Sequence, residues 1–404
     1  MASRTDTTAA ADDPVDSVAA ALSSASFVRL LASADGDGLA AAGLLARALR
    51  RVDVPFQVRV DALGAGRPSS GDDGLFVGVG SAYVNADATV APETAPASLR
   101  ASRIAAEVGG TDAAAPDPVL ALAGVVADGA HPASVAGELV AAAEDAGSAV
   151  QRPGVSIPVD DAVDGLTHST LLHAPFSGDH DAAAAAVSSL SRSDNGADSD
   201  SAADTETRRS LASRVALAVA GDNDAVPRAA DAVERAVRPY TTPDAPVATL
   251  GGFADVLTAT ARERPGTGVA LALGHGGRDA ALDAWREHGR TVHSALDSAS
   301  TTRHDGVFVA RVDEAAAGTP GRLATLARLA RDFRSPEPLV VAVGDGIAAT
   351  SARESGAADA AATLAAEFPA AAVGWTGGPT RALAGIATGT PVPEMVAAIR
   401  RQST

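Results

Sequence analysis

The sequence predicts an α/β protein in two parts: an N-terminal domain on a mainly parallel sheet and a smaller C-terminal α/β domain across a cleft. Three observations carry this. Short β-branched runs alternate with alanine-rich helical stretches over residues 27–147, at lengths suited to strand–helix–strand units. A second such series begins at Gly306-Val307-Phe308-Val309. Between them, residues 209–304 show helical periodicity. The 404 residues suffice for two or three domains.

The elements follow in order. Residues 1–15 are small, polar and acidic, and read as a disordered tail. The N-terminal domain, 16–188, opens with a strand at Phe27–Leu31 and a helix over 39–50. Strands follow at Phe56–Val60 and Leu75–Val79, then helices over 97–108, Pro118–Asp128 and 132–147. A sheet of five or six strands is expected. Residues 189–208 have almost no apolar content and read as a flexible insertion. A helical connector spans 209–304, with helices over 209–220, 225–237, Gly251–Arg262 and 277–300. The C-terminal domain, 305–404, takes strands from Leu339–Val343, Gly346–Thr350 and Ala371–Trp375, and helices over 319–331 and 356–368.

The chain carries 32 basic and 50 acidic residues, a formal charge of -18, and every basic residue is arginine. Aromatics make up only 3%. This composition fits a cytoplasmic protein in a salt-adapted archaeal cytosol. At molar salt the Debye length is about 3 Å, so self-repulsion among surface carboxylates is weak. Acidity then says little against nucleic-acid binding, although counterion-driven affinity is small there. With no cysteine, disulfides, thiolate catalysis, thiolate zinc sites and iron–sulfur clusters are excluded. Apolar runs such as Leu211–Ala220 are too short to span a bilayer.

The most informative segment is Ser33-Ala34-Asp35-Gly36-Asp37-Gly38, between the first strand and its helix. Two carboxylates two residues apart at a strand's C-terminal end can reach one Mg²⁺ or Mn²⁺. The same pair also fits an acidic turn whose carboxylates accept backbone N–H groups at a helix N-terminus. Asp128 ends the apolar run Leu120–Ala127, where a carboxylate calls for a metal or a cap. His131, His168, His173 and Gly274-His275-Gly276-Gly277-Arg278 read chiefly as loop and turn residues, and Trp285 and Trp375 as core.

Taken together these blocks resemble the DHH phosphoesterase superfamily, in particular its archaeal RecJ-like and Cdc45-like members. Ser33–Gly38 resembles the first family motif, Phe76-Val77-Gly78-Val79-Gly80-Ser81 the second, and Leu120–Asp128 the fourth. Gly165-Leu166-Thr167-His168-Ser169-Thr170 with Pro175–Gly178 resembles the segment after the core, and Gly252–Arg262 the helix linking the domains. Gly344-Asp345-Gly346, Ser351-Ala352-Arg353 and Gly377-Gly378 with Ala384-Gly385 resemble the C-terminal substrate-binding domain of the DHHA1 type.

The departures fall on the family's metal ligands. No Asp-His-His occurs, and Tyr83–Val90, where it belongs, has no histidine. Ser33 stands in the place of the first-motif histidine, Gly78 of the second-motif aspartate, and Pro379 of the histidine after the C-terminal glycine pair. What the resemblance leaves for metal is Asp35, Asp37 and Asp128, with Asp87 a fourth. It implies a nucleic-acid-binding face at Ser351, Arg353, Gly377 and Gly378. A two-metal phosphoesterase needs ligands that hold its ions about 3.5–4 Å apart, and serine and glycine cannot supply them. The resemblance therefore implies a catalytically degenerate scaffold of DNA replication or repair that meets single-stranded DNA or RNA and a GINS-like partner. Its alternative is a Mn²⁺- or Mg²⁺-dependent 5′→3′ single-strand exonuclease or oligonucleotide phosphodiesterase.

Overall fold

Glycine-rich turns and alanine-rich helix faces set the layering of the computed structural model, which describes residues 14–63, 74–81, 83, 85–91, 95–109, 115–191, 201–222, 226–313, 318–370 and 374–402. Most of the expected tail lies outside them.

Helix α1 (Val15–Ser24) leads into β1 (Val28–Ser33), α2 (Gly36–Arg51), β2 (Phe56–Asp61), β3 (Leu75–Val79) and β4 (Ala88–Val90). These strands form a wholly parallel sheet in the order β2-β1-β3-β4, with Val28 level with Phe56 and Leu75. Helices α3 (Ala97–Gly109), α4 (Pro118–Asp128), α5 (Pro132–Val135) and α6 (Gly137–Asp145) follow. The sheet has four strands among the described residues, fewer than expected. The next strand, β5 (Val150–Gln151), instead pairs antiparallel with β6 (Tyr240–Thr241) of the connector.

The small residues of α2 let its neighbours approach. A Cβ on Gly43 would lie 2.8 Å from the Ala272 side chain. Helix α4 is bounded by local chemistry: Pro118 occupies its first turn, and Asp117 accepts from the Val119 and Leu120 amides at 3.0 and 3.1 Å. Gly129 closes it at φ 95°.

The connector holds α7 (Ala162–His168), α8 (His180–Ser191), α9 (Ser201–Ala220), α10 (Ala229–Ala236), α11 (Leu250–Glu263), α12 (Pro265–Ala272) and α13 (Arg278–Ser298). Of the insertion expected over 189–208, residues 189–191 belong to α8 and 201–208 to α9, and 192–200 lie outside the described residues. Trp285 of α13 is fully buried, as expected of a core residue.

The C-terminal unit begins at β7 (Ser300–His304), earlier than the expected 305, because that strand pairs with β8 (Val307–Arg311) as a hairpin. After α14 (Pro320–Leu329) and a π-turn over Ala330–Arg334 come β9 (Leu339–Val343), β10 (Ile347–Ala352), α15 (Ala357–Glu367), β11 (Trp375–Gly377), β12 (Arg381–Gly385) and α16 (Val392–Gln402). The sheet order is β11-β12-β10-β9-β8-β7, with only β8 and β9 parallel. Strand alternation splits its two faces. Phe308, Val340 and Ala342 pack with α14, while Val309, Val341 and Val343 pack with α15 and α16. The strand expected at Ala371–Trp375 starts at Trp375, and 371–373 lie outside the described residues. Trp375 is 40% exposed on this edge strand, against its expected place in the core. Among the described residues no helix is long and apolar enough to cross a membrane.

Candidate nucleic-acid interface

The turn from β1 into α2 places Asp35 and Asp37 at the C-terminal edge of the first sheet. Asp35 is the N-cap of α2, and its Oδ1 accepts from the Gly38 amide at 2.8 Å. Asp37, 2% exposed, accepts from the Ala97 amide at 2.7 Å and from the Ser98 amide at 2.9 Å. Its two oxygens thus cap the start of α3, some sixty residues along the chain. Burial, with the charges of Asp128 and Asp35, pushes the Asp37 carboxyl up to about 8 against the pull of the Ser98 hydrogen bonds. Both aspartates follow the capping alternative that the sequence left open.

Asp128 ends α4, where Arg381 of β12 reaches it. The Arg381 guanidinium donates to the Ala127 carbonyl at 3.1 Å, the Asp128 carbonyl at 3.3 Å and Asp128 Oδ1 at 2.5 Å. Cation and helix C-terminus are suitably matched. Arg262 of α11 approaches from the other side, donating to the Ala34 carbonyl at 3.2 Å and to the Thr325 hydroxyl. Burial, offset by Asp35, lowers the Arg262 pKa to about 9. Asp87 is remote from these groups. Its carboxylate accepts from the Phe76 amide at 2.8 Å, at the strand end that lies level with Arg29, the start of β1.

These residues do not fit the two-metal centre of the DHH pattern. Among the described residues no group of three or more His, Cys, Asp or Glu side chains is arranged to hold a metal ion. Among the described residues the buried Ser33 hydroxyl has no hydrogen-bond partner, and a Cβ on Gly80 would lie 2.1 Å from it. At Gly78 a Cβ would meet the Tyr83 ring at 2.8 Å, so that ring fills the space into which an aspartate would project.

Beside the acidic turn lies a cavity of about 560 Å³. Eight of the 32 arginines line it: Arg228, Arg235 and Arg238 around α10, Arg262 on α11, Arg328 and Arg331 at the end of α14, Arg353 after β10, and Arg381. Among the described residues four carboxylates join them, from Asp128, Glu234, Asp255 and Asp332. Asp332 is buried and gathers four of the arginines. Arg331 chelates it at 2.8 and 3.1 Å, with Arg228, Arg235 and Arg328 at 3.4, 3.7 and 4.0 Å. Burial would raise its pKa, but these cations hold it below the usual carboxylate range. Arg328 is anchored on the Thr170 carbonyl at 2.7 Å, and burial lowers its pKa to about 10.

Of the four residues expected at a nucleic-acid face, only Arg353 lines this cavity, with one guanidinium nitrogen on the Pro336 carbonyl at 2.7 Å. Ser351 is buried within β10, opposite Arg381 in register. Gly377 takes φ 131°, and a Cβ there would lie 2.4 Å from the Arg381 carbonyl, so it serves the β11–β12 turn. Gly378 is not among the lining residues. Sequence reasoning missed Arg381 altogether. Its one signal was an arginine opening an alternating strand just after the glycine pair.

Two solved structures share this architecture. CDC45 from Entamoeba histolytica is 8% identical, with a TM-score of 0.54 covering 93% of this chain and 95% of that one. An exonuclease RecJ bound to manganese is 14% identical, with a TM-score of 0.50 covering 97% and 94%. The chain therefore has a fold like that of these two structures, an α/β fold with a four-stranded parallel sheet and a six-stranded mixed sheet. The chain spans 54% of the length of RecJ from Thermus thermophilus in complex with Mn²⁺, at 12% identity, a TM-score of 0.49 and 96% coverage of this chain. Residues 299–401 match the family model described as the C-terminal domain of the uncharacterized protein rrnAC1427. The rrnAC1427 protein of Haloarcula marismortui is 44% identical over 338 residues, covering 83% of this chain and 84% of its own length. The chain accordingly belongs to the rrnAC1427 family.

Proposed function

We propose that this chain is a nucleic-acid-associated protein of DNA replication or repair that binds a phosphodiester strand without cutting it. The arginine-lined cavity is the cleft between its two α/β units. One observation carries the reading: an acidic protein gathers a quarter of its arginines around one cavity that holds half as many carboxylates. Guanidinium groups removed from water need anionic partners, and a phosphodiester supplies them with bidentate geometry. Such contacts survive molar salt better than long-range attraction, because they act at hydrogen-bond distance in a sheltered site. Arg353 is one of three exposed members, with Arg235 and Arg238, that an incoming strand can meet first. The carboxylates that would activate a metal-bound water already cap a helix or pair with arginine, which supports a scaffold over an exonuclease. A GINS-like protein remains the partner class of this reading.

The test is titration of a 5′-phosphorylated single-stranded oligonucleotide, as DNA and as RNA, in about 3 M KCl with and without Mn²⁺. Binding without hydrolysis is expected in both conditions. Arg353→Ala should weaken binding by about 1–3 kcal/mol, similarly for all base sequences, since phosphate contacts position a strand without reading it. Robust Mn²⁺-dependent turnover abolished by Asp37→Ala would replace this reading with the exonuclease. No binding at any salt would remove nucleic acid from it.

A further inference from the structure

We propose that the Tyr240 ring is the platform on which one base of a bound single strand stacks, so that the cavity recognises a nucleobase as well as phosphate. This rests on the reading of the cavity as a phosphodiester site and deepens it.

Tyr240 stands apart from the arginines around it. Among the described residues it is the one Tyr, Trp or Phe that lines the cavity. It opens β6, directly opposite Gln151 of β5. The Arg152 amide donates to the Pro239 carbonyl at 2.9 Å, which makes Gln151 and Tyr240 a non-hydrogen-bonded pair, the kind whose side chains stand closest. Directly opposite residues share one face of a ribbon, and both of these line the cavity, so that face is the one turned toward it. The ring is half-buried and packs against the core that contains α4 and α11, which holds it in place as a support. Among the described residues neither the Tyr240 hydroxyl nor the Gln151 amide makes a hydrogen bond.

The backbone just before the ring is a second, independent observation. Arg238 takes φ 59°, in the left-handed region. The other non-glycine residues that do so among those described are Asp53 and Asn85, of the types that adopt it most readily. An arginine ahead of a proline gains nothing locally from this conformation. Pairing on either side imposes it: the Arg238 amide donates to the Gly154 carbonyl at 3.2 Å, and Arg152 holds Pro239. Backbone strain kept in this way is concentrated at ligand-binding positions. Arg238 is exposed, lines the cavity, and has no hydrogen-bond or ion-pair partner for its guanidinium among the described residues. A free cation two residues from a supported ring suits a nucleotide, with phosphate on the one and base on the other.

The experiment titrates the full chain with oligodeoxyadenylate and with an abasic strand of equal length and charge, at one high KCl concentration. Wild type should bind the adenylate strand about tenfold tighter than the abasic one. Tyr240→Ala should lose that preference while keeping its affinity for the abasic strand. Tyr240→Leu, which refills the apolar contact without a π face, should do the same, and Tyr240→Phe should keep the preference. Arg238→Ala should weaken both strands equally. Wild type that binds both strands alike would overturn the platform and leave the phosphodiester reading standing, whereas no binding of either strand would overturn both. A preference that survives in Tyr240→Ala or Tyr240→Leu would also overturn the platform. So would a parallel loss of affinity for both strands in these two variants, which is the mark of a purely structural ring.

Discussion

Asp255 is the residue whose loss should damage the cavity wall most. This carboxylate, 2% exposed on α11, accepts from the Thr170 amide at 2.9 Å, the Thr170 hydroxyl at 2.5 Å and Trp285 Nε1 at 2.8 Å. Three donors from two other segments meet on one group, so it pins the loop after α7, including the cavity residues Thr170 and Leu171, to α11 and α13. Asp255→Ala leaves the Trp285 N–H and the Thr170 amide buried without an acceptor. The hydroxyl can rotate, so two unmet donors are counted, at about 1–3 kcal/mol each. We expect a loss of about 3–5 kcal/mol, the range for breaking a buried charged contact. Asp255→Asn keeps one oxygen but turns an amide N–H toward a donor, so it should cost about 1–3 kcal/mol. The assay is urea unfolding at fixed molar KCl in a Trp375→Phe background, leaving Trp285 as sole tryptophan fluorophore. The transition it reports belongs to the core around α11 and α13. Ala and Asn variants both within about 1 kcal/mol of wild type would refute the account of Asp255 as the clamp of this loop.

Further expectations come from close packing and from titration. A Cβ on Gly289 would lie 2.0 Å from the His168 carbonyl oxygen, so Gly289→Ala must push α13 off α7; a loss above about 2 kcal/mol is expected. Gly137 has open space around the same position, so in the same unfolding assay Gly137→Ala should be neutral or stabilising by under about 1 kcal/mol. Glu263 accepts from His288 Nδ1 at 2.8 Å and from two Arg322 nitrogens at 2.7 Å. Burial opposes its ionisation, but these bonds win and lower its pKa to about 2. Its folded pKa lies below the unfolded value, so its contribution is present above about pH 4.5 and is lost as pH falls toward 2. The acid limb of a melting-temperature profile should accordingly be flatter for Glu263→Gln than for wild type, and parallel limbs would remove this pair from acid stability.

The parts of the fold governed by local pattern were legible in the sequence. The short apolar runs Leu75–Val79 and Leu339–Val343, and the bounded apolar run of α4 with Asp117, Pro118 and Gly129 at its ends, depend on neighbours in the chain. Strand partnership does not. Nothing in Val150-Gln151 indicates that it leaves the first sheet for Tyr240–Thr241, since two residues carry no register. Trp375 illustrates another limit: hydrophobicity predicts burial on average, but a side chain on an edge strand can stand in water. The site divides the same way. That Asp35 could cap its own helix is a three-residue relation. That Asp37 caps α3 is a relation across sixty residues, and no local spacing encodes it. The arginines around Asp332 come from α10, α14 and the residues beside them, and no motif links them.

The same division explains why this site is read better from charge balance than from motif survival. The positions that resemble the family's ligands are occupied by Ser33, Gly78 and Pro379, which taken alone describe only a loss. The structure adds what stands in the vacated places: the Tyr83 ring over Gly78, and Arg381 against Asp128. Residual carboxylates left in a partly buried pocket without a cation would repel one another and favour protonation. An arginine delivered from the C-terminal sheet offsets that cost at Asp128, while the buried Asp37 carboxyl stays raised. The same arginine also ties β12 to the end of α4, and the Ser81 and Thr376 hydroxyls, 3.3 Å apart, add a second link between the two sheets. Under the proposed function such links matter, because they hold the walls of the cavity in place without depending on the supply of a metal.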